Sequence, residues 1–139
     1  MVFEATGAAE IFLVARIVFG GILAFMGLNH FMQTDMMTGY AEAKGLPAPR
    51  FGVIASGVML VGGGLSIALG AYPVLGAGAL AVFLLVSAVI FHNFWAVPED
   101  QMQDEMTGFL KNVGLLGGAL LFLAVGGTAW PYALDIGLF

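Results

Sequence analysis

Four long apolar stretches decide what this chain can fold into. Residues 11–31, 51–72, 74–95 and 113–129 are almost free of charge. A run of about 18 or more apolar residues can cross a bilayer as a helix. In lipid, only helices and closed barrels satisfy every backbone N–H and C=O. Four such runs therefore predict four spanning helices. The composition agrees: of 139 residues 60% are hydrophobic, only 9% are charged, and the mean hydropathy is +1.00. A soluble domain carries about 25% charged residues. The expected fold is all-α, an integral membrane four-helix bundle. A single domain spans residues 1–139, with helices near 8–32, 51–72, 74–96 and 107–129.

The connections refine this picture. The first long loop, residues 32–50, predicts a short interfacial helix with its apolar side down. Thr34 can cap it, and Met36, Met37, Tyr40 and Ala41 share one side. Gly45 stops it, and Pro47 and Pro49 forbid its continuation. Tyr72-Pro73 leaves room only for a tight turn, so the second and third spanning helices are antiparallel neighbours. The acidic stretch 98–105 is a loop or a helical lead-in to the fourth span. The N-terminus has no positive n-region, so the first run is expected to remain as a helix of a multi-pass protein in the cell membrane. Four crossings place both termini on one side and both longer loops on the other. Lys44, Arg50 and Lys111 on the loop side, against Arg16 on the other, favour loops in the cytoplasm.

Composition also excludes. There is no cysteine, which removes disulfides, thiol relays, iron–sulfur ligation and cysteine zinc sites. A redox role then requires a bound cofactor or a partner. Four Lys plus Arg and a net charge of −5 give no basic surface for nucleic acid. The acids lie in the loops and the N-terminal segment. They fit either an organism with an acidic proteome or ordinary loop solubility.

The polar residues within the apolar runs are the candidate site. Arg16 stands two turns inside the first helix, where a charge is costly. It either holds an anionic group, a quinone carbonyl or a partner carboxylate, or it snorkels and bonds helix-end carbonyls. Asn29, His30, His92 and Asn93 end two helices that run the same way, which predicts a common depth. The histidines can hydrogen-bond a polar headgroup, ligate a haem or metal, or cap carbonyls. Lys111 and Asn112 start the fourth helix in this reading, a poor place for a cation. Lys111 either pairs with the acids before it or lines one pocket with His30 and His92. No third carboxylate or cysteine completes a metal set, and no side chains form a catalytic constellation. Gly20, Gly27, Gly62, Gly63, Gly114 and Gly118 are small residues that admit close helix neighbours, in this chain or another.

Several segments resemble the DoxX family of small four-helix membrane proteins. They are residues 16–20, Asn29-His30-Phe31, Gly45-Leu46-Pro47, Gly62-Gly63, residues 92–95 and residues 109–118. The resemblance implies association with respiratory or thiosulfate–quinone oxidoreduction and with membrane redox-defence complexes. It aligns Arg16, His30, His92, Lys111 and Asn112 with the family pattern. One position departs: many relatives carry an acid just before the glycine doublet, where this chain has Met59. Three readings follow. One is a non-catalytic or quinone-interacting subunit of a membrane oxidoreductase, with quinone as a non-covalent cofactor. Another is an assembly module packing against membrane subunits or against itself. A small transporter is the third, less favoured because four helices leave little room for a pore.

Overall fold

The computed structural model describes residues 2–137. Five α-helices follow one another: α1 (Ala8–Met32), α2 (Thr34–Ala43), α3 (Pro49–Leu69), α4 (Pro73–Phe91) and α5 (Glu99–Val125), with a 3₁₀ turn at Phe94–Ala96. Four spans are long and apolar enough to cross a membrane: α1, α3, α4 with its following turn, and α5. The short α2 fills the first long loop. No strand occurs among the described residues, only an isolated bridge between Ala71 and Ile136.

The helices pack in sequence. α1 lies against α3, α3 against α4, and α4 against α5. The α1–α3 contact brings backbones together: a Cβ on Gly20 would collide with the Gly64 carbonyl, and one on Gly64 with that of Gly20. Gly27 lies 2.7–2.8 Å from Val61 and Leu60 by the same measure, and Gly63 packs on Leu80 and Gly76. Gly118 meets the Phe19 ring at 3.0 Å. Gly62 and Gly114 behave otherwise: a Cβ on either would meet nothing within 4 Å. These two do not serve helix packing within this chain.

α5 reaches α1 chiefly through aromatic side chains. Phe12, Phe19, Phe122 and Trp130 interlock with ring centroids 5.1–5.9 Å apart. They close the core around Leu23, Leu60, Ile67, Leu80 and Leu84.

α5 corrects the sequence reading. It begins at Glu99, not near 107, and ends at Val125, not near 129. Pro98 stands at its N-cap, and Glu99 and Asp100 occupy its first turn, where the helix dipole favours acids. The acidic stretch is thus the first two turns of α5. Lys111 is its thirteenth residue, so the conflict between a cation and a helix start does not arise.

The end of α3 is closed by two distant pieces of chain. A helix leaves its last carbonyls without intrahelical donors. Here Ser66 O accepts from Gly70 and Ala71 N–H. Arg16 Nε donates to Ile67 O at 3.2 Å, and Arg16 Nη2 to Ala68 O at 3.0 Å. The chain after α5 folds back as a strap. Its Leu134 and Asp135 N–H donate to Leu69 O and Gly70 O, each at 3.0 Å. Every carbonyl from residue 66 to 70 therefore has a donor.

Candidate functional site

At the loop end, the last residue of α4 and the two after it gather polar side chains from the first long loop and from α5. The Tyr40 hydroxyl of α2 donates to Phe91 O at 3.3 Å, and the two rings stack 5.7 Å apart. Lys44 Nζ donates to Asn93 Oδ1 at 2.9 Å and lies 5.8 Å from the Tyr40 ring centroid. Between them, His92 turns toward α5, with Nδ1 3.3 Å from Glu105 Oε2. That separation suits an ion pair, yet the two groups are not aligned as a hydrogen bond. Both atoms are shut off from solvent. With Thr38 Oγ1 of α2 they are the buried side-chain polar atoms lacking a hydrogen-bond partner among the described residues. Gly108 makes the arrangement possible, because a Cβ there would collide with the imidazole. Burial, and then the Glu105 charge, push the Tyr40 phenol above its ordinary range. An aromatic group of Phe94, Trp95 and Phe109, with centroids 5.2–5.7 Å apart, covers this end of α5.

His30 lies elsewhere. Its Nδ1 contacts Val53 O at 3.2 Å and Ser56 Oγ at 3.0 Å. A carbonyl only accepts, so Nδ1 carries the hydrogen. The ring stands edge-on to Phe83, 6.1 Å between centroids. Phe83 precedes His92 by nine residues, or about 13 Å of helix rise. The expected common depth of the two histidines fails for this reason: His30 is folded against α3 and α4, while His92 sits past the end of α4. The two rings have different partners: Val53 and Ser56 for His30, Glu105 for His92.

The remaining candidates separate further. Lys111 is exposed on α5 and makes no hydrogen bond or ion pair among the described residues. Asn29 and Asn112 are half-buried, and neither side chain has a partner among the described residues. The Asn29 carbonyl accepts from Gln33 N–H. Arg16 belongs to the opposite end and is fully buried. Besides capping α3 it donates to Pro131 O at 2.6 Å and Tyr132 O at 3.3 Å in the strap. Its guanidinium lies over Trp130 and Phe12, 5.4 and 5.8 Å from the centroids. All three nitrogens are engaged, so Arg16 is not open to a ligand. Of its two sequence readings, the bonding of helix-end carbonyls is the one realised.

Two apolar grooves face outward. One of about 490 Å³ runs between α3 and α4 over Gly62 and Gly63, with Met59, Ser66 and Tyr72 on its walls. The other, about 250 Å³, lies between α1 and α5 beside Phe19 and Leu115.

Sequence reasoning missed Glu105, Gly108 and Ser56. The signal for Glu105 was present. Residues 105, 108, 109, 112, 116 and 119 recur at helical spacing, and all lie on the inward side of α5. Ending the acidic loop two turns too late hid that stripe.

The DoxX family profile matches residues 11–93, more than half of the chain and three of its four spans. The chain belongs to the DoxX family. It is also 33% identical over 123 residues to the inner membrane protein YphA of Escherichia coli K12, a match covering 87% of each chain. No solved structure matches the chain. The profile match ends at Asn93, so Glu105 and Lys111 lie beyond it.

Proposed function

We propose that this DoxX-family protein is a non-catalytic module of a membrane assembly, and that neighbouring subunits dock along the outer face of α5. One observation carries the reading. The most apolar window of α5 is only 11% buried, against 28–33% for the other three spans. The open face holds Thr107, Lys111, Gly114, Gly117 and Leu121. Glycine in a helix interior costs about 1 kcal/mol relative to alanine. Gly114 and Gly117 gain no contact within the chain in return. A lone lysine at a lipid face costs more, about 2.5–3.5 kcal/mol at mid-bilayer and less where it snorkels. A partner helix relieves both. The family resemblance points to membrane oxidoreductase subunits as the partners.

The test is the mass of the complex purified from native membrane. Wild type is expected in a discrete larger assembly, and Gly117→Leu as the folded single chain. A wild-type chain that runs as a stable monomer without partners defeats the reading.

The grooves favour a second reading, in which an apolar quinone tail occupies one of them and the His92–Asn93 end meets its headgroup. Mass spectrometry of lipid extracted from folded protein tests it. Finding no quinone counts against it.

A further inference from the structure

The loop-end cluster contains one contact that the fold leaves incomplete. His92 Nδ1 and Glu105 Oε2 face each other at 3.3 Å, both atoms out of solvent on side chains that are 31% and 19% exposed, and neither has a hydrogen-bond partner among the described residues. With no proton between them, two lone pairs oppose each other, which is unfavourable away from water. With both ring nitrogens protonated, a carboxylate meets a cation, and donor and acceptor are both charged, the strongest form this contact can take. The room for this pair is built into the backbone at Gly108.

We propose that His92 and Glu105 form a proton-operated latch that holds the first two turns of α5 against the end of α4. The latch reaches α2 as well, because Phe91 and Asn93, on either side of His92, are the residues that bind Tyr40 and Lys44. Proton uptake tightens all three elements at this end. Loss of the second ring proton removes the cation and leaves, at best, a neutral imidazole N–H donating to the carboxylate, and the first turns of α5 loosen. The sign follows from the contact itself: the closed state favours the doubly protonated imidazole, so closure is tighter at lower pH and looser at higher pH.

The groups around the imidazole are few. Glu105 faces it from α5. From α2, Tyr40 is kept neutral by burial and by Glu105, and Lys44 is engaged by Asn93. His30 stands against Phe83, near the middle of α4. Lys111 lies on the outward face of α5. The latch does not depend on which partner, if any, covers that face.

The chain has no cysteine, so a spin-label pair can be placed without background. Met36 of α2 and Met102 of α5 are exposed and suit Met36→Cys and Met102→Cys. Pulsed EPR on the full chain in lipid nanodiscs reads the distance between them at about pH 5.5 and about pH 8, either side of the histidine range. The expected result is a narrow distribution at the lower pH and a wider, longer one at the higher. Glu105→Gln and His92→Gln should each abolish that change. If one variant fails to insert, the other decides. A distribution in the parent pair that ignores pH overturns the proposal. So does a pH response that survives in either variant.

Discussion

Replacing Arg16 by methionine keeps an unbranched apolar stem and removes every donor. Four carbonyls then lose a partner: Ile67 and Ala68 at the end of α3, and Pro131 and Tyr132 in the strap. A hydrogen bond from a charged donor contributes about 1.5–3 kcal/mol. Against the sum stands the desolvation of the guanidinium, several kcal/mol that methionine no longer incurs. The balance is a loss of about 2–5 kcal/mol for Arg16→Met. Arg16→Lys keeps the charge but concentrates three donors on one nitrogen. It cannot reach two chain segments in the same way and should fall between. Reversible unfolding in mixed micelles measures the loss. A spin label at Leu134→Cys should report a freed strap in Arg16→Met and a fixed one in the parent. Arg16→Met unfolding at the wild-type point with an immobile strap would refute the structural assignment.

Other expectations are as direct. Gly20→Val forces α1 and α3 apart at their backbone contact and should cost about 1–3 kcal/mol or more, as overpacking does; the same micelle titration checks it. Gly117→Ala, which meets nothing, should leave the stability of the single chain unchanged or raise it by up to about 1 kcal/mol. Gly108→Ala drives a methyl into the imidazole and should displace His92, visible as a changed histidine ring signal in NMR. The Tyr132 hydroxyl donates to Glu10 at 3.1 Å, and that bond, then the carboxylate charge, raise its titration. The neutral phenol is the form the fold favours, so this contact is present below the tyrosine range and is lost as pH rises through it. Phenolate absorbance in Glu10→Gln should therefore begin at lower pH than in wild type.

The four spans were legible because hydrophobic length is a property of the chain itself. So was the α2 helix with its stop at Gly45, but not its start: Gln33 rather than Thr34 stands at the N-cap, and the Thr34 hydroxyl donates back to His30 O and Phe31 O at the end of α1. What escaped depends on where distant pieces meet. Arg16 was recognisable as an anomaly, but its carbonyl partners lie in α3 and in the strap, more than 50 and 110 residues away. No spacing rule reveals them. The two histidines look equivalent on helix counting, yet α4 carries Phe83 to the His30 ring and leaves His92 beyond its last turn. Gly114 and Gly118 look like one motif, and only packing shows that Gly118 meets Phe19 while Gly114 faces outward.

The central claim is that the outer face of α5 is a docking face in the native membrane. A photo-crosslinking side chain at position 117 tests it, with position 21 as the comparison; both glycines are exposed and meet nothing within the chain. The account predicts a discrete protein adduct from position 117 and only lipid adducts from position 21. Lipid adducts alone at position 117, or the same protein adduct from both positions, would contradict it.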